Sequence, residues 1–198
     1  RALGAEISEQ GGNLYCSDKG LKGARINLAF PSVGATENAM LAACGADGET
    51  VITNAAREPE IIDLQAYLKK LGVSINGAGS STISISGMKP AEAVGHRVMT
   101  DRIVAATALC CTASAGGSIR LTGLVPAYFE TVTTALEEMG CEVRRGGNFV
   151  SLRTKGGLRA PKPIVTKPYP GFPTDAQPLL MAAALKAEGN TAFTENIF

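Results

Sequence analysis

At residues 25–28 apolar and polar side chains alternate, Arg25-Ile26-Asn27-Leu28, the two-residue period of a half-buried strand. Pro31-Ser32-Val33-Gly34 then turns the chain, and the small residues that follow predict a helix to about residue 46. A strand is predicted at Gly48-Glu49-Thr50-Val51-Ile52. Glu58-Pro59-Glu60 opens a second helix, in which Ile61, Leu64, Leu68 and Leu71 recur at helical spacing on one face. Lys69 and Lys70 fall near its C-terminus, where the helix dipole favours cations, and Gly72 is placed to end it. Two short strands, at Val73-Ser74-Ile75 and Thr82-Ile83-Ser84-Ile85, complete a βαβαββ unit.

The same order returns along the chain. Leu3-Gly4-Ala5-Glu6-Ile7, Leu71-Gly72-Val73-Ser74-Ile75 and Met139-Gly140-Cys141-Glu142-Val143 share one pattern at even spacing (71 − 3 and 139 − 71 both give 68). Small-residue helices open near Gly34, Asp101 and Asp175, and each runs to a glycine that launches a strand, at Gly48, Gly117 and Gly189. The second copy predicts a helix from Asp101, a strand at Ile119, a helix over 126–139, and strands at Cys141 and Phe149-Val150-Ser151-Leu152. Pro161, Pro163, Pro168, Pro170 and Pro173 mark a looped approach to a third. A fixed period implies stacked copies of one unit, none able to bury its apolar face alone. The class expected is α+β, with helices packed on sheets. About three units' worth is present, starting at the tail of one copy and stopping midway through another, so the sequence reads as a piece of a longer protein. A hinge at 88–95, around Lys89-Pro90, divides it into 1–95 and 96–198.

Composition narrows the picture. Hydrophobic residues make up 45% and charged residues 19%, which excludes disorder; without Trp, the core must come from Ala, Val, Ile and Leu. A net charge of +1 with no basic run longer than two leaves no nucleic-acid footprint. The most apolar stretch, 103–115, is too short and too rich in Thr and Ser to span a bilayer, so no membrane partner is expected. Five cysteines, an odd number without C-x-x-C spacing, argue against zinc and a disulfide framework and for a reducing cytoplasm.

Three segments carry candidate chemistry. Pro31-Ser32-Val33-Gly34-Ala35-Thr36-Glu37-Asn38 sets a hydroxyl, a glycine and backbone N–H groups at a helix N-terminus, a seat for phosphate. The pattern alone fits an ordinary Ser N-cap more readily. Ala55-Ala56-Arg57-Glu58-Pro59-Glu60 presents two carboxylates in a first helical turn, where they also serve the dipole. Gly171-Phe172-Pro173-Thr174-Asp175 holds a carboxylate on a Pro-stiffened turn, aligned in the repeat with Thr100-Asp101-Arg102. With His96 the only histidine, a carboxylate is the natural base, and the pattern leaves base and dipole partner equally open for Asp175. His96 and the Cys110-Cys111 pair read as structural, the cysteines as small buried hydrophobes.

At these motifs, together with Asn54-Ala55-Ala56-Arg57-Glu58-Pro59-Glu60-Ile61 and Phe172-Pro173-Thr174-Asp175, the chain resembles the UDP-N-acetylglucosamine 1-carboxyvinyltransferases, a family of enolpyruvyl transferases. The resemblance runs from end to end. It implies six βαβαββ units in two domains, each an inside-out α/β barrel, with the site in the cleft between them. It implies transfer of enolpyruvyl from phosphoenolpyruvate to the 3-hydroxyl of the sugar nucleotide, without cofactor or metal, in peptidoglycan precursor synthesis. Phe30, Pro31, Ser32, Val33 and Gly34 would line the uridine diphosphate. Asp175 would take the hydroxyl proton, and Ile197 matches a contact near the uracil. Glu58, Glu60, Asp101 and Arg102 are candidate cleft residues.

The family's Lys-Asn pair, its proton-donor cysteine loop and its C-terminal arginines have no counterpart in these 198 residues. The chain by itself is therefore expected to be inactive, and its open repeat ends to favour self-association. The rivals are the shikimate-pathway enolpyruvyl transferase (3-phosphoshikimate 1-carboxyvinyltransferase) and a non-catalytic repeat module.

Overall fold

The computed structural model describes residues 1–87 and 93–198. Of the hinge read at 88–95, residues 88–92 lie outside the described residues. The chain divides into two compact units, Arg1–Val98 and Met99–Phe198.

The first unit begins with an antiparallel ribbon, β1 (Glu6–Gln10) and β2 (Asn13–Ser17). It carries Leu14 and Tyr15 largely exposed. The complete repeat follows as β3 (Arg25–Asn27), α1 (Val33–Cys44), β4 (Glu49–Thr53), α2 (Pro59–Lys70), β5 (Ser74–Asn76) and β6 (Thr82–Ser86). These strands form one sheet in the order β3-β4-β6-β5. β3 and β4 run parallel, with Ile26 opposite Ile52, and the other pairs are antiparallel. Alternation sends Ile52, Ile75, Ile83 and Ile85 inward, where Ile52 faces Ile83 and Ile75 faces Ile85 across the ladder. α1 meets them with Thr36, Met40, Ala43 and Cys44, and α2 with Ile61 and Leu68, each at helical spacing. Fully burying one such aliphatic side chain contributes roughly 1.5–3 kcal/mol. Gly77, in the β5–β6 turn, has φ +99°, and a Cβ there would strike the Thr82 carbonyl, so only glycine fits.

The second unit runs α3 (Arg102–Ala115), β7 (Gly117–Thr122), a 3-10 turn (Pro126–Phe129), α4 (Glu130–Glu138), β8 (Glu142–Arg145) and β9 (Phe149–Thr154). Then come β10 (Ile164–Val165), a second 3-10 turn (Thr174–Ala176), α5 (Gln177–Ala184) and β11 (Phe193–Thr194). β7, β9 and β8 form an antiparallel sheet in that order, and β10 pairs parallel with β11. α3 buries Ala105, Ala106, Leu109, Cys110 and Ala113, a stripe of small residues that lets α5 approach closely. Leu136, Met139, Leu152 and Leu180 complete this core. No described residue is shared between it and the core of the first unit.

Three expectations need correcting. The helix read over 126–139 is broken at Phe129, whose φ −137° and ψ 32° separate the 3-10 turn from α4. The second copy has no opening strand among the described residues, since 93–100 forms none. Cys111 is exposed while Cys110 is buried, because consecutive helical residues point about 100° apart and only one can join the stripe. Cys110 does behave as a buried hydrophobe: burial first, then the Cys111 and Cys141 thiols, push its thiol up to about 12. His96, read from the sequence as structural, packs against α2. Its Nε2 lies 3.2 Å from Asp63 Oδ2 and its ring 5.4 Å from that of Tyr67, both on α2.

Candidate functional site

In the first unit the parallel strands β3 and β4 end side by side, and each feeds a helix N-terminus. Ligands commonly bind beyond the carboxyl ends of such strands. The two loops are bound to each other: Leu28 N–H donates to the Thr53 carbonyl at 3.0 Å and Asn54 Nδ2 to the Leu28 carbonyl at 2.8 Å. Ser32 is the N-cap of α1, its Oγ accepting from Ala35 N–H at 3.3 Å. The cap reading is therefore correct, and it does not exclude an anion. By helix geometry the N–H groups of Val33 and Gly34 have no intrahelical acceptor and point outward from the same turn. Gly34 is exposed, with nothing within 4 Å of where a Cβ would stand. Phe30 and Pro31 flank the turn, with Phe30 41% exposed.

Thr36, fully buried, couples this turn to the next loop. Its hydroxyl donates to the Ser32 carbonyl at 2.8 Å and accepts from Ala56 N–H at 3.0 Å. Glu58, at the N-cap of α2, is buried, and Glu60 is half-buried one residue beyond Pro59. Burial, and then the charge of Glu60, hold the Glu37 carboxyl above its ordinary range. The first turns of α1 and α2 thus gather carboxylates against one another. Glu37 lies within the Pro31-Ser32-Val33-Gly34-Ala35-Thr36-Glu37-Asn38 segment, where the sequence pattern gives it no distinguishing mark.

In the second unit the two aligned aspartates do different work. Asp101 caps α3, its Oδ1 accepting from Ile103 N–H at 2.8 Å and Val104 N–H at 3.0 Å. Asp175 sits inside the 3-10 turn and caps nothing, because α5 starts two residues later at Gln177. It is exposed and makes no hydrogen bond or ion pair with a described residue. α3 packs against this turn. Arg102, buried to 8% exposure, places its guanidinium 5.9 Å from the centre of the Tyr169 ring. Both edge a cavity of about 270 Å³ whose wall includes Tyr128, Glu130 and Pro173.

Ile197 comes to the same turn through a residue that the sequence did not flag. Glu195 Oε1 accepts from Thr166 Oγ1 and from Ile197 N–H, each at 2.7 Å, and its Oε2 accepts from Thr174 Oγ1 at 2.8 Å. Desolvation pushes this carboxyl up, but the bonds from Thr166, Ile197, Thr174 and Phe198 outweigh it and hold it below its ordinary range. The structure therefore gathers Phe30–Gly34 with Glu58 and Glu60 in one unit, and Asp101, Arg102, Asp175 and Ile197 in the other. Among the described residues no cluster of three or more His, Cys, Asp or Glu is arranged to hold a metal, and no helix is long and apolar enough to cross a membrane.

The chain as a whole is similar to known proteins in sequence and in fold. The family model for EPSP synthase (3-phosphoshikimate 1-carboxyvinyltransferase) matches residues 1–198. The chain belongs to the EPSP synthase family. Within that family, a UDP-N-acetylglucosamine 1-carboxyvinyltransferase 1 of Symbiobacterium thermophilum is 48% identical over all of this chain and 45% of its own length. The namesake from Carboxydothermus hydrogenoformans is 43% identical over all of this chain and 47% of its length. That of Staphylococcus aureus (strain MRSA252) is 45% identical over the whole chain and 47% of its length. The chain thus spans about half the length of these relatives. In three dimensions it resembles the enolpyruvyl transferase NikO from Streptomyces tendae, with a TM-score of 0.78 at 24% identity over 98% of this chain and 49% of that one. EPSP synthase from Acinetobacter baumannii gives 0.61 at 24% identity over 96% of this chain and 45% of its own. The fold is mixed α and β, the class that the repeat predicted, and of the enolpyruvyl transferase type that the resemblance implied.

Proposed function

We propose that this chain is the sugar-nucleotide-facing part of an enzyme that transfers enolpyruvyl from phosphoenolpyruvate to the 3-hydroxyl of UDP-N-acetylglucosamine. This is the first committed step of peptidoglycan precursor synthesis. One observation carries the reading: relatives of that name are 43–48% identical across all 198 residues, against 24% for an EPSP synthase of known structure. The Ser32-Val33-Gly34 turn would receive the diphosphate on its outward N–H groups, with Phe30 and Pro31 beside it. Asp175, committed to no cap, would take the 3-hydroxyl proton as that oxygen bonds to C2 of phosphoenolpyruvate. C3 takes up a proton from a donor that this reading places outside residues 1–198. Loss of phosphate from C2 and of a proton from C3 then leaves the enolpyruvyl ether. The five free thiols suit a cytoplasmic enzyme.

Ligand-dependent melting tests the assignment in a protein of the relatives' full length that contains this chain. At about a hundredfold excess over Kd, the true substrate adds roughly 2.7 kcal/mol, a rise in Tm of a few degrees. UDP-N-acetylglucosamine is expected to produce that rise and shikimate 3-phosphate to produce none. The reverse pattern would assign the shikimate-pathway activity instead, and no rise with either would leave a non-catalytic module.

A further inference from the structure

The loop that ends the chain holds the acidic turn through one carboxylate. Glu195 accepts from Thr174 Oγ1, the side chain immediately before Asp175, and from the main-chain N–H of Ile197. The same carboxylate accepts from Thr166 Oγ1 at the end of β10, and Thr166 is itself fully buried. Thr166 is doubly fixed, because its hydroxyl accepts from Asn196 N–H at 2.8 Å and its N–H donates to the Thr194 carbonyl at 3.0 Å. A carboxylate offers an acceptor site to each of these donors at once, where a hydroxyl or a single carbonyl has at most two lone pairs. Charge-assisted bonds of this kind are roughly twice as strong as neutral ones and restrict the partners' geometry.

We propose that Glu195 is a positioning residue, the strut that sets the turn bearing Asp175 and the loop bearing Ile197 at a fixed spacing against the β10–β11 pair. This rests on the reading of Asp175 as the base on the sugar hydroxyl. Glu195 touches no reacting atom. It acts by holding Thr174, and so the backbone from which Asp175 projects, while the same oxygen that binds Thr166 holds Ile197. A base held about 1 Å away from its proton can lose on the order of 10²-fold in rate, so a strut one residue from the base should register in kcat.

The test compares Glu195→Ala, Glu195→Gln, Thr174→Val and Asp175→Asn, with the double variant Asp175→Asn/Glu195→Ala, in a protein of full family length. Asp175→Asn should lower kcat by about 10²–10⁴-fold. Glu195→Ala should lower it by about 10–10²-fold while leaving the KM for phosphoenolpyruvate unchanged. Glu195→Gln should recover most of the loss, since its carbonyl can still accept from Thr166 and Ile197 while its NH₂ donates to Thr174 Oγ1. Thr174→Val cuts one arm of the strut without disturbing the rest and should lower kcat by about tenfold, which keeps the question open to test if the alanine variant does not fold. In the Asp175→Asn background, Glu195→Ala should cost almost nothing more, because a strut has no effect once the group it positions is gone. Equal losses in both backgrounds would make Glu195 a general structural residue, and wild-type kcat in Thr174→Val and Glu195→Ala would remove the strut altogether. Full kcat in Asp175→Asn alone would instead overturn the base, and the inference with it.

Discussion

At the scale of single residues, what a side chain is already bonded to separates the candidates. Asp101 and Asp175 occupy equivalent places in the repeat, yet two N–H donors occupy the first and none the second. Ser32 is a cap and still leaves two N–H groups facing outward. Gly34 offers the cleanest test of that seat, because added bulk meets open space on the protein side. Gly34→Val should leave Tm within a few degrees of the parent, since valine is no worse a helix former than glycine. It should weaken UDP-N-acetylglucosamine binding by about tenfold or more, about 1.4 kcal/mol, as read by calorimetry. Unchanged affinity would leave Ser32 and Gly34 as a cap alone. The cap at Ser32 was legible because a cap and its partners lie within four residues; at Asp101 the helix start was read from the sequence and the cap itself came from the structure. Glu195 was not, because its partners Thr166 and Thr174 lie 29 and 21 residues away and only the β10–β11 pairing brings them together.

At the scale of elements, the starts of α1 and α2 matter more than their lengths. Both follow parallel strands, so their first turns converge and set Glu37 against Glu60. Glu37 is raised by burial and then by Glu60, so its folded pKa lies above its unfolded value of about 4.5. The stability it contributes is complete below that value and is lost as pH rises through its folded pKa. Glu37→Gln carries no charge to lose. Its Tm should therefore exceed the parent's at pH 7, and the gap should close below about pH 4.5 in a pH series of melts. A gap that persists in acid would trace the gain to packing instead. The apolar period of α2 and the alternation of β4 and β6 were plain in the sequence, because core contact enforces both. The break at Phe129 and the 3-10 turn before α5 were not, because Pro126 and the Pro173-Thr174-Asp175 turn are equally compatible with a continuous helical start. That residues 93–100 form no first strand for the second copy likewise had no local signature, since a strand needs a neighbour to pair with.

At the scale of the whole molecule, the repeat builds two interiors rather than one. Met40, Ile52, Ile61, Ile75, Ile83 and Ile85 belong to the first, and Leu109, Leu136, Met139, Leu152 and Leu180 to the second, with no residue in common. Separate interiors mean separate heat absorption. A scanning calorimetry trace of this chain should resolve into two endotherms. Leu152→Ala, which removes a side chain 1% exposed in the second interior, should cost roughly 2–5 kcal/mol there. That would lower one endotherm by on the order of 10 °C for a unit of about 100 residues and leave the other in place. A single peak that moves as a whole would mean the two interiors melt as one body. If they do not, damage in either half stays in that half: a substitution harmful to the unit that carries Asp175 leaves the unit that carries the Ser32-Val33-Gly34 turn folded, and the two can accumulate sequence change at different rates.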